Sequence, residues 1–123
     1  MSTSDCRLVL VVDDDQDLRE MLALVLQGHG YRTQEAVDGV DALEQIEAGA
    51  QPSLVLLDLR MPRMNGTELL LALKDRERTT IPVVVITGDL GGAREALAAG
   101  ARTCVRKPID MDALLDTVAQ HAS

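Results

Sequence analysis

Asp13, Asp14, Asp58, Thr87 and Lys107 are residue types that together could hold a cation and handle an oxyanion. Each stands at the end of an aliphatic run or just beyond one. Carboxylates brought into one crevice repel each other and need a counter-charge. Oxygen ligands with room left for water suit Mg²⁺. A carboxylate delivered alone by an apolar run can go further and attack a phosphoryl group. A metal and an ammonium would then neutralise its equatorial oxygens, and a hydroxyl would donate to another. Asp58 fits the nucleophile, Lys107 the ammonium and Thr87 the hydroxyl; the product would be an aspartyl phosphate.

That chemistry requires elements that bring the five residues together. Leu54-Val55-Leu56-Leu57 and Leu8-Val9-Leu10-Val11-Val12 are aliphatic on both faces, the pattern of parallel strands covered by helices. Val83-Val84-Val85-Ile86 repeats it after Pro82, and Thr103 to Arg106 forms a weaker fifth strand. Tyr31 to Ala36 is short and polar, which suits a sheet edge. Between them, Leu18, Met21, Leu22, Val25 and Leu26 recur at helical spacing, with Gly28 and Gly30 ending the helix. Val40, Leu43 and Ile46 mark a second helix, and Leu69, Leu70 and Leu73 a third with Thr67 near its start. Gly91 to Ala99 gives a fourth, alanine-rich helix with a weak apolar face. The fifth is capped by Asp110, carries an Ile109/Leu114 staple and is lined by Met111, Leu114, Leu115 and Val118. Pro62 and Asn65-Gly66 read as a loop after the third strand, with Asn-Gly suited to positive φ.

Five strands alternating with five helices imply an α/β, flavodoxin-like (βα)5 doubly wound domain with a parallel sheet of order 2-1-3-4-5. The first and third strands are then neighbours at the switch point, which brings Asp13, Asp14 and Asp58 together. The 123 residues fit one domain, 1–123, with an ordered core from about 7 to 120. A formal charge of −8 argues against direct nucleic-acid binding, and Tyr31 as the sole aromatic leaves no base-stacking platform. Two cysteines cannot build a disulfide framework, and no apolar run reaches the roughly 20 residues of a membrane span. A cytoplasmic location without membrane association is expected.

Taken in order, Val11-Val12-Asp13-Asp14-Asp15, Leu56-Leu57-Asp58-Leu59-Arg60-Met61-Pro62, Asn65-Gly66, Ile86-Thr87-Gly88, Ala99-Gly100-Ala101 and Lys107-Pro108 resemble a response regulator receiver domain, of the kind found in chemotaxis regulators, over essentially the whole chain. The resemblance implies that Asp58 accepts a phosphoryl group from a histidine of a sensor kinase or phosphotransfer protein, with acetyl-phosphate-like donors as an alternative. It assigns Asp14 as a direct Mg²⁺ ligand, Asp13 as a ligand through water and the Arg60 backbone carbonyl as a further contact. Thr87 and Lys107 would bind the phosphoryl group, and Lys107-Pro108 would be cis. A downstream protein would read the switch on the face of the fourth helix, fifth strand and fifth helix. Such a domain is a self-catalysed switch with slow autodephosphorylation, not a turnover enzyme.

Three positions modify this expectation. Receivers usually carry an aromatic three residues before the rim lysine, and here Cys104 stands there, so the usual inward rotation of a ring is missing. The stretch from Thr87 to Gly100 is about two residues short and contains Gly91-Gly92, which predicts a fourth helix that signals by ordering. Arg60 and Asp89, two residues past Asp58 and Thr87, occupy positions that gate water in receivers and could pair over the site.

Other readings are plainer. Asp15 reads as a helix cap, His29 as a helix-end residue, His121 as a frayed tail residue, Met61 and Met64 as loop packing, and Cys6 as inert. Met1-Ser2-Thr3-Ser4 resembles a natural start, which favours a stand-alone regulator over a fragment of a hybrid kinase or transcription factor. A Mg²⁺-dependent phosphohydrolase of the aspartyl-phosphate type would want a second carboxylate where Arg60 stands. A flavodoxin-like cofactor module would want a phosphate-cradling loop after the first strand, where this chain has acids.

Overall fold

The computed structural model describes residues 7–59, 64–76 and 80–122. Strands β1 (Leu8–Val12), β2 (Arg32–Ala36), β3 (Leu54–Asp58), β4 (Val83–Thr87) and β5 (Thr103–Arg106) alternate with helices α1 (Gln16–Gly28), α2 (Gly39–Glu47), α3 (Gly66–Asp75), α4 (Leu90–Ala99) and α5 (Met111–His121). The strands form one parallel sheet in the order β2-β1-β3-β4-β5, as the alternation predicts. No helix among the described residues is long and apolar enough to cross a membrane.

The aliphatic runs explain why the sheet is covered on both sides. Alternate side chains of β1, β3 and β4 point to opposite faces. Leu10, Val12, Val55, Leu57, Val83 and Val85 meet α2, α3 and α4 through Leu43, Ile46, Leu69, Leu73 and Ala96. Val9, Val11, Leu54, Leu56, Val84 and Ile86 meet α1 and α5 through Leu22, Leu26, Leu114 and Val118. β2, polar and largely exposed, is an edge strand as its sequence predicts. The weak face of α4 is equally visible: it buries Ala93 and Ala96, while Leu90 and Leu97 stay exposed.

Helix ends follow from local chemistry. Asp15 caps α1 by accepting from the Asp17 and Leu18 amides, and Asp110 does the same for α5 with Asp112 and Ala113. Ile109 and Leu114 join the same apolar cluster, as a staple requires. His29 is the C-cap residue of α1, and Gly30 takes φ +92° just after it, so that the Gly30 and Tyr31 amides can satisfy the carbonyls of Gln27 and Leu26. One reading is corrected. Asn65 has φ −74° and is the N-cap of α3, its side chain bonding the Glu68 amide while Glu68 bonds back to the Asn65 amide. Gly66 is the first helical residue. Asn-Gly begins a helix here, and glycine is required by a close approach described below.

Candidate functional site

Ladder register builds the site. Val12 pairs with Leu57, so Asp13 and Asp58 leave the ends of β1 and β3 side by side. Asp58 pairs with Ile86 and Thr87 with Arg106, which puts Thr87 and then Lys107 one step further along the same carboxyl rim. The five candidates of the sequence reading thus meet at the switch point of the sheet, where open α/β folds hold ligands.

Carboxylate oxygens of Asp13, Asp14 and Asp58 lie within 4.8 Å of one another, with Asp13 and Asp58 buried and Asp14 exposed. Asp13 is pinned: its amide donates to the Ala36 carbonyl at 3.1 Å, and its Oδ1 accepts from the Asp15 amide at 2.9 Å. Its Oδ2 is buried and has no hydrogen-bond partner among the described residues. Burial pushes the Asp13 carboxyl up from 3.8 to about 6; the Asp15 amide and the Lys107 charge lower it in part, and the neighbouring Asp58 and Asp14 charges raise it. A buried oxygen without a partner among the described residues and a carboxyl held uncomfortably as an anion are what a bound cation would relieve. The donor set therefore fits Mg²⁺, a hard ion that takes oxygen ligands and keeps several waters.

Lys107 Nζ stands 3.5 Å from Asp58 Oδ1, and the Lys107-Pro108 peptide is cis. Thr87 is buried; its Oγ accepts from the Asp89 amide at 3.0 Å and keeps a hydroxyl proton to donate. Asp58, Thr87, Gly88, Asp89 and Lys107 line an open cleft of about 370 Å³. Asp89 is also the N-cap of α4, accepting from the Gly91 amide at 3.0 Å. Arg60, Met61 and Pro62 lie outside the described residues, and with them the expected carbonyl ligand and the Arg60/Asp89 pair; so does Cys6. Cys104 does not line the cleft. It is half-buried between the sheet and α4, its Sγ donating to the Ala93 carbonyl at 3.7 Å, and burial pushes its thiol up from the usual value. Met64 packs partly buried against the α2–α4 core, as a loop methionine should.

Sequence reasoning missed Arg19 and Gly39, and the close contact that Gly66 makes. Arg19 of α1 is buried and donates from Nη1 to the Asp13 carbonyl at 2.8 Å and from Nε to Glu35 at 3.0 Å. At Gly39 a Cβ would meet the Met64 carbonyl at 2.5 Å, and the Gly39 amide donates to that same oxygen at 3.2 Å. At Gly66 a Cβ would meet Leu59 Cδ2 at 2.7 Å, while the Gly66 amide donates to the Leu59 carbonyl at 3.1 Å. The chain that follows Asp58 is thus tied back at Leu59 and Met64 through glycines that permit close contact. A charged residue at a helical core position was the one available signal for Arg19; the glycine contacts join elements distant in sequence and left no local mark.

Fold and crevice together define a doubly wound α/β domain with an acidic site at its switch point, the architecture of receiver domains. The model of the response regulator receiver domain matches residues 9–119, and the chain belongs to that family, which serves two-component signalling. It is 36% identical over 115 residues to sporulation initiation phosphotransferase F of Bacillus subtilis, covering 92% of this chain and 91% of that one. It is 37% identical over 117 residues to the CAI-1 autoinducer sensor kinase/phosphatase CqsS of Vibrio cholerae, covering 92% of this chain and 17% of that far longer one. Among solved structures it resembles Vibrio cholerae chemotaxis protein CheY4, with 30% identity, a TM-score of 0.86 and coverage of 94% and 98% of the two chains. It also resembles response regulator TrrA of Thermotoga maritima, solved with Mg²⁺-BeF, at 28% identity and TM-score 0.83, covering 93% and 97%.

Proposed function

We propose that this domain accepts a phosphoryl group on Asp58 in a Mg²⁺-dependent reaction and thereby switches conformation. The observation that carries the reading is the convergence of Asp13, Asp14 and Asp58 within 4.8 Å, with Lys107 beside Asp58 and Asp13 Oδ2 without a partner among the described residues. Asp14 would ligate the ion directly, Asp13 through water and Arg60 through its carbonyl. The ion supplies charge neutralisation on the phosphoryl oxygens. A carboxylate oxygen of Asp58 attacks phosphorus, the bond from phosphorus to the donor's imidazole nitrogen breaks, and the electron pair leaves with the imidazole. Lys107 attracts one equatorial oxygen and the Thr87 hydroxyl donates to another.

Receivers act with histidine kinases or phosphotransfer proteins and with downstream targets. For this chain we assign the phosphodonor to such a histidine and the output to the surface of α4, β5 and α5. A cytoplasmic location goes with this assignment. Relatives of nearly equal length and relatives many times longer share the same domain, which supports a receiver role in either setting. Arg60, where an aspartyl-phosphate hydrolase would carry its acid/base carboxylate, supports slow autodephosphorylation over turnover. The test is labelling by a small acyl-phosphate donor in Mg²⁺, followed by intact mass. The wild type gains one phosphoryl group and Asp58→Asn gains none; stoichiometric labelling of Asp58→Asn overturns the assignment.

A further inference from the structure

We infer that Arg19 is a positioning residue for the cation: the chain Glu35, Arg19, Asp13 fixes the end of β1 so that Asp13 Oδ2 faces the crevice. The inference rests on the reading that the acidic cluster holds Mg²⁺. Asp13 has few freedoms left to remove. Its amide continues the ladder to Ala36, and its Oδ1 is taken by the Asp15 amide. Its carbonyl is held by a buried guanidinium, at 2.8 Å from Nη1. With both flanking peptide groups and one carboxylate oxygen engaged, Oδ2 is left buried at the cluster with no partner among the described residues.

A guanidinium suits this task because its rigid fork reaches two acceptors in different directions, the Asp13 carbonyl and Glu35 Oε1, the latter at 3.0 Å. Glu35 lies on the edge strand β2 and is part exposed, so it balances the Arg19 charge without joining the acidic cluster. The positive charge is spent on Glu35, and what reaches Asp13 is orientation. Removal of an outer-shell partner of a metal ligand lowers metal affinity roughly 10- to 100-fold.

The experiment titrates Mg²⁺ alone into wild type, Arg19→Met, Arg19→Lys and Glu35→Gln by calorimetry, and records the Asp15 amide resonance of each Mg²⁺-free protein. Expected for Arg19→Met is an affinity about 10-fold weaker, with a shifted Asp15 amide, because the Asp13 oxygen it bonds has moved. Glu35→Gln keeps an acceptor for Nε and is expected to stay within about twofold of wild type. A purely structural role predicts the opposite pattern: a lower urea midpoint with wild-type Mg²⁺ affinity and an unmoved Asp15 amide. That result overturns the inference. Should Arg19→Met fail to fold, Arg19→Lys carries the test, since one ammonium cannot reproduce the fork: weaker affinity supports the inference and wild-type affinity overturns it. If the wild type binds no Mg²⁺, the underlying site reading fails instead.

Discussion

Lys107 Nζ and Asp58 Oδ1 stand 3.5 Å apart, the outer limit of a hydrogen bond, with the carboxylate buried and the lysine side chain 39% exposed. The pair attracts without closing, so in the proposed transfer the ammonium would follow charge onto a phosphoryl oxygen. Lys107→Met is therefore expected to slow acyl-phosphate labelling of Asp58 about 10²-fold, by the loss of one preorganised cation. Stability at neutral pH should change by no more than about 1 kcal/mol, because so exposed a partner is well solvated. Rates by intact mass and urea midpoints check both halves.

Asp13 gives a pH dependence whose sign is fixed. Its folded-state value, about 6, lies above its ordinary 3.8, so ionisation favours the unfolded chain. The stabilising contribution is full below the unfolded value and is lost as pH rises through about 6. Asp13→Asn cannot ionise. In Mg²⁺-free urea titrations its stability advantage over wild type should grow by about 2 kcal/mol between roughly pH 4.5 and 7.5. Saturating Mg²⁺ should shrink or reverse that gap, since the ion stabilises the wild type by mass action and the variant lacks a ligand.

Gly39 and Gly28 make a matched comparison. Both are helical glycines of unexceptional φ, but a Cβ at Gly39 meets the Met64 carbonyl at 2.5 Å, while at Gly28 nothing lies within 4 Å. Gly39→Ala should cost about 1 to 3 kcal/mol through forced backbone shifts, and should weaken Mg²⁺ binding by loosening the chain after Asp58. Gly28→Ala should be neutral or stabilise by up to about 1 kcal/mol. Equal urea midpoints for the two variants would refute the close-contact argument.

Helix α4 buries only Ala93 and Ala96 among its described residues, begins with Gly91 and Gly92 in its first turn, and has Cys104 behind it in place of a bulky ring. Few apolar contacts mean a low cost of local opening. Hydrogen exchange should find residues 93–98 the least protected helical segment in the Mg²⁺-free protein, with protection gained when Mg²⁺ and a beryllofluoride mimic are added. Equal protection in both states would remove ordering of α4 as the signal.

The aliphatic runs made the sheet legible, because strands buried on both faces need residues that are apolar on both, and β1, β3 and β4 are so up to the rim residues Asp58 and Thr87. Helix caps at Asp15 and Asp110 were equally local. Asn65-Gly66 misled for a physical reason: the dipeptide serves a turn and a helix start alike, and what decides is whether Glu68 is placed to bond back and whether Leu59 crowds the glycine.

The sequence by itself determined the elements, their order and the five rim residues, since each depends on residue type and spacing along a few turns or strand lengths. Only the tertiary structure decided how those residues are held. Arg19 holds the Asp13 carbonyl while paired with Glu35 on β2, and the Gly39 amide bonds the Met64 carbonyl 25 residues away. Such contacts join surfaces that become neighbours only when the sheet has closed its switch point. Their energetics depend on burial and direction, which no local pattern encodes.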